Sequence, residues 1–113
     1  DLLGIRDTVI QVVQAMDGQL GEKSFAAMLA GSRFVGPYRL AARGQNSPWF
    51  GHLRAVGEAS VLQMIRALMR EGVLEKRAKA AEGGRSYDML WLSERGAREF
   101  GSSAPHLDEE RDA

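Results

Sequence analysis

Ser47–Leu74 reads SPWFGHLRAVGEASVLQMIRALMREGVL. In its second half, Val61, Leu62, Ile65, Leu68 and Met69 recur at the spacing that gathers apolar side chains into one stripe of a helix. Gly72 stands where such a helix ends in a left-handed residue, and Val73-Leu74 begins an extended run. The first half opens with Ser47-Pro48, a serine cap with proline at the first helical position, so Ser47–Gly51 is expected to be a short helical turn. Arg54, Arg66 and Arg70 carry the charge around this unit.

Upstream, residues 5–17 (IRDTVIQVVQAMD) predict a first helix. Ile5, Val9, Val12, Val13 and Met16 form its buried stripe, and Gly18 forms its stop. Residues 21–31 (GEKSFAAMLAG) predict a second, short helix that buries Phe25, Met28 and Leu29 and ends at Gly31. Ser32-Arg33 follows. A hydroxyl and a guanidinium beside turn amides suit a phosphate oxygen, and an ordinary polar loop fits the same two residues equally well. Residues 34–46 show no period. Phe34, Val35, Tyr38 and Leu40 are expected to pin this segment, with Arg39 and Arg43 facing solvent.

Downstream, Val73–Lys79, a turn at Ala80–Gly84 and Arg85–Leu92 predict a β-hairpin. Tyr87, Met89 and Trp91 alternate with Ser86, Asp88 and Leu90, the period of a half-buried strand. Lys76, Arg77, Lys79 and Arg85 flank the tip. They suit phosphate contact, and the alternative is the protection of an edge strand from unwanted pairing. Ser93 caps a short closing helix to Phe100. Residues 1–100 are therefore expected to form one domain, and residues 101–113 an acidic tail or linker. The expected fold is mainly α with a small β-hairpin, in the order of a winged helix (winged helix-turn-helix).

Composition sets the outer limits. The chain has 113 residues, 44% apolar and 27% charged, which is ordinary for a globular domain with a modest core. It has no cysteine, so disulfides and thiolate metal sites are excluded, as fits an intracellular protein. It opens on Asp1 without methionine or an apolar leader, as expected of a piece of a longer protein. The zero net charge hides a gradient: residues 31–79 carry +6, against −2 for residues 1–30 and −3 for residues 101–113. A local basic excess of this kind attracts phosphate whatever the total, because screening acts beyond about 8–10 Å. His52 and His106 are too far apart in sequence to suggest a metal site or a triad. No phosphate-binding GxxxxGK[ST] and no nucleophile–base pair is present, so this domain is not expected to be catalytic.

Three strings carry a family resemblance. They are Leu29-Ala30-Gly31-Ser32, Phe50-Gly51 followed by Arg54, and Ile65-Arg66-Ala67-Leu68-Met69-Arg70-Glu71-Gly72-Val73-Leu74. In that order they resemble the RQC domain, the winged-helix module that follows the helicase and zinc-binding parts of RecQ-family DNA helicases. The likeness runs from about Gly21 to Gly96. Departures from the family pattern are Ala30 for an arginine, Leu53 for the second glycine of the aromatic turn, Val61 for a tryptophan and Leu62 for a backbone-contacting lysine.

The resemblance implies an ATP-dependent 3′-to-5′ DNA helicase as the parent protein, active in replication, recombination and repair. ATP, Mg and Zn would be bound outside this domain, and no cofactor within it. The partners implied are duplex DNA with a single-strand junction and the helicase core of the same chain, in a bacterial nucleoid or a eukaryotic nucleus. The DNA-contacting residues implied are Ser32, Arg33, Arg54, Lys76, Arg77, Lys79 and Arg85. Tyr87, the nearest ring to the hairpin tip, is either a strand-separation residue or, as its face-sharing with Met89 and Trp91 favours, mainly structural. Two rivals remain: a regulator whose central helix reads bases in the major groove, and a winged helix that binds protein.

Overall fold

The central stripe forms the helix its spacing predicts, over Glu58–Arg70, within a computed structural model that describes residues 2–32, 46–80 and 82–100. Helices α1 (Leu2–Ala15), α2 (Glu22–Ala30) and α3 (Glu58–Arg70) come first in the chain. The hairpin β1 (Leu74–Ala80) and β2 (Ser86–Leu92) follows, then α4 (Glu94–Phe100). The molecule is thus mixed α/β, with four helices and one two-stranded antiparallel hairpin among the described residues, an order compatible with a winged helix. Arg33, the segment from Phe34 to Arg43 with its expected core and solvent positions, the tail from Gly101 and His106 lie outside the described residues.

On α3, Val61, Ile65 and Leu68 are fully buried. Leu62 and Met69, at the margins of the stripe, are half-buried and pack on the same core. The helix stops as a Schellman turn: Gly72 takes φ +82, its N–H donates to Met69 O (3.1 Å), and Val73 N–H donates to Leu68 O (2.9 Å). Only glycine enters that conformation without steric cost. The chain then leaves α3 directly into β1.

Helix α1 ends two residues earlier than the sequence pattern suggests, because Asp17 and Gly18 are used in another way. Asp17 Oδ1 accepts the Leu92 N–H (2.7 Å). Gly18 N–H donates to Leu90 O (3.0 Å), and Leu90 N–H donates to Leu20 O (2.9 Å). Residues 17–20 therefore line the edge of β2 that β1 leaves open, and backbone groups that would otherwise lack partners are satisfied. Gly18 lies flat against the Trp91 ring, where a Cβ would come within 2.3 Å.

The hairpin register pairs Lys76 with Leu90, Arg77 with Met89 and Lys79 with Tyr87. Leu90 and Leu92 join the core, while Tyr87, Met89 and Trp91 form the opposite face. On that face Trp91 is covered by Gly18 and by the side chain of Arg77, and Met89 is buried as well as Leu90.

Ser93 closes the fold as predicted. Its Oγ accepts the Gly96 N–H (2.8 Å) and donates to Gly72 O, while its N–H donates to Val73 O (2.9 Å). One side chain thus caps α4 and binds the end of α3. Ser93→Ala is expected to cost about 1–2 kcal/mol, the upper range for a lost cap, measured by denaturant unfolding. A loss below about 0.3 kcal/mol would contradict this role.

Candidate nucleic-acid interface

Helix α2 must satisfy its last carbonyls, and the way it does so brings two separate turns together. Gly31, at φ +73, ends the helix. Its N–H donates to Met28 O (3.1 Å), and Ser32 N–H donates to Ala27 O (2.8 Å). The Ser47 turn supplies two further donors. Ser47 Oγ accepts the Trp49 N–H (3.0 Å), and Ser47 O accepts the Phe50 N–H (3.1 Å), as its sequence predicts. The turn then docks on α2: Gly51 N–H donates to Met28 O and Leu53 N–H donates to Leu29 O, both at 2.7 Å.

Arg54 follows from this docking. Its guanidinium lies across both turns, close enough that a Cβ at Gly31 would come within 2.4 Å of Nη2 and a Cβ at Gly51 within 2.6 Å. Both glycines have positive φ, so they serve two needs at once: the turn conformation and room for the arginine. The guanidinium also stands 6.0 Å over the Phe50 ring. Arg54 remains exposed, at the C-terminal end of α2, where the helix dipole favours a cation. Beside it, Trp49 and His52 meet edge to face, with ring centroids 5.2 Å apart. Ser32 and Arg54, named separately from sequence, thus belong to one corner of the molecule.

The hairpin cations do not form one patch. Arg77 and Lys79 share the face of Tyr87, Met89 and Trp91, and Lys76 lies on the opposite face. Three of them are engaged within the chain. Lys76 Nζ is 3.5 Å from Glu22 Oε1. Arg77 pairs with Glu75 at 2.7 Å and stacks 4.4 Å above the Trp91 ring. Lys79 Nζ donates to Gly18 O (3.2 Å). Arg85, next to Gly83 and Gly84 at the exposed tip, makes no ion pair with another described residue. Tyr87 is half-buried beside Lys79.

Sequence reasoning missed Glu22. It sits in the first turn of α2 and accepts both Nε (3.1 Å) and Nη2 (2.9 Å) of Arg66 on one oxygen, with Lys76 on the other. Arg66 lies 44 positions away, so no local pattern signals the pair. Among the described residues there is no group of three or more His, Cys, Asp or Glu able to hold a metal ion, and no helix long and apolar enough to cross a membrane. No protein-family model matches the chain, and no curated protein matches it.

Proposed function

We propose that this chain is a winged-helix DNA-binding domain of a RecQ-like helicase, holding duplex DNA at a single-strand junction while the motor of the parent protein pulls one strand. The observation that carries the proposal is the corner at the end of α2. Two of the strings that resemble the family, Gly31-Ser32 and Phe50-Gly51 with Arg54, meet there through the Gly51–Met28 and Leu53–Leu29 hydrogen bonds. An exposed guanidinium beside a serine and two glycine turns suits a phosphate oxygen. The third string supplies the packed helix and its Gly72 exit into the hairpin. Residues 17–20 against β2 add the short third chain that accompanies a winged-helix hairpin. ATP, Mg and Zn belong, on this reading, to the absent parts of the parent.

Phosphate contact carries no sequence information by itself, so binding is structure-selective. The regulator reading needs α3 to present base-reading side chains, but beyond its first turn the exposed positions are Gln63, Arg66 and Arg70, with no Asn, Ser or Lys among them. The test is competition. A tailed duplex and a scrambled-sequence version of it should displace one another equally, and Arg54→Gln should weaken both to the same extent, by roughly tenfold for one charge-assisted contact. A preference of a hundredfold or more for one sequence, or an unchanged affinity in the Arg54 variant, would overturn the proposal.

A further inference from the structure

Arg66 and Lys76 come from different elements, the middle of α3 and the start of β1, yet both end on the carboxylate of Glu22. Resting on the DNA-binding reading above, we infer that Arg66 and Lys76 form a second site for a nucleic-acid phosphodiester, which Glu22 occupies in the free protein. The carboxylate satisfies the same guanidinium and ammonium donors that a pair of phosphate oxygens would satisfy.

Glu22 answers two cations, and Lys23 and Asp88, which border the same recess, offset one another, so the cluster keeps an excess positive charge. Exposure comes next. The side chains of Arg66 and Lys76 are 48% and 42% exposed, whereas that of Glu22 is 12% exposed. The cations can therefore turn to an incoming phosphate while the acid stays in place. Each pair has a half-exposed cation and is screened by salt on that side. Glu22, the less exposed partner, keeps a favourable environment after the cations leave, since it stands at the positive end of the α2 dipole. Position completes the case. Helix α2 has nine residues, about 13 Å at 1.5 Å per residue, with Arg54 at its C-terminal end and the Glu22 cluster at the other. The two sites can therefore meet different phosphates of one backbone.

The experiment measures the affinity of the whole chain for a tailed DNA duplex across a salt series, in the unaltered protein and in Glu22→Gln. Removal of the competing charge should tighten binding roughly fivefold, the factor equivalent to about 1 kcal/mol for one unit charge at 4 Å in water. The plot of log K against log[salt] should steepen by about 0.9, the increment for one more neutralised phosphate. Adding Arg66→Gln to Glu22→Gln should remove the gain. Glu94→Gln, which deletes a 90% exposed carboxylate on α4, should leave the slope as it was. An unchanged or weakened affinity in Glu22→Gln, or a gain that survives Arg66→Gln, would overturn the second site while leaving the Arg54 site standing. Absence of salt-dependent binding in the unaltered protein would remove both.

Discussion

Leu68→Ala is expected to destabilise the domain by about 2–5 kcal/mol, the range for large-to-small changes at fully buried leucines. Leu68 is fully buried in the cluster that joins α1, α2 and α3 to the base of the hairpin. Its carbonyl also accepts the Val73 N–H in the turn that launches β1. A cavity here loosens both the helix packing and the anchor of the hairpin. In a domain this small, each kcal/mol lowers Tm by roughly 4–8 °C, so the variant should melt at least about 8 °C lower. Met69, half-buried at the margin of the same stripe, should tolerate alanine with a clearly smaller loss. Equal losses at the two positions would mean that the helix faces the core differently from this account.

How far the sequence reveals this arrangement depends on the range of the interactions. Gly72, Gly31, Ser47 and Ser93 each make a capping or turn contact within five residues, and each is legible because a cap or a left-handed turn has a local signature; the longer bond from Ser93 to Gly72 is not. The edge pairing of residues 17–20 with β2 was not. It joins positions up to 75 apart, and four residues are too few to show alternation. The core-facing side of β2 is not legible for a related reason. Tyr87, Met89 and Trp91 alternate as a half-buried face, yet Leu90 and Leu92 on the opposite face also join the core.

The candidate site divides in the same way. Arg54 was legible from its place after an aromatic-glycine turn, and the structure adds the two glycines that make room for it. The hairpin cations were legible only as a cluster in sequence. A single step of register sends Lys76 to one face and Arg77 to the other, because strand side chains alternate with period two. Their partners Glu22, Trp91 and Gly18 come from other elements, which composition and charge counts do not locate.

The central claim is that an electrically neutral chain binds DNA through a local set of cations, and the most direct test is a salt titration of its binding to a tailed duplex. Arg54 and Arg85 are exposed and available, and the Glu22 cluster contributes one to two further contacts once its cations turn outward. Three to four neutralised phosphates give a slope of log K against log[salt] between about −2.7 and −3.6, at −0.9 per phosphate. Raising salt from 50 to 200 mM should then weaken binding by roughly 40- to 150-fold. The total charge of zero would not produce this dependence, but the uneven distribution of that charge would. A slope in that range, unchanged when the duplex sequence is scrambled, is the predicted result. A slope near zero, or no binding at 50 mM salt in a protein shown to be folded, would contradict the claim and favour a winged helix that binds protein.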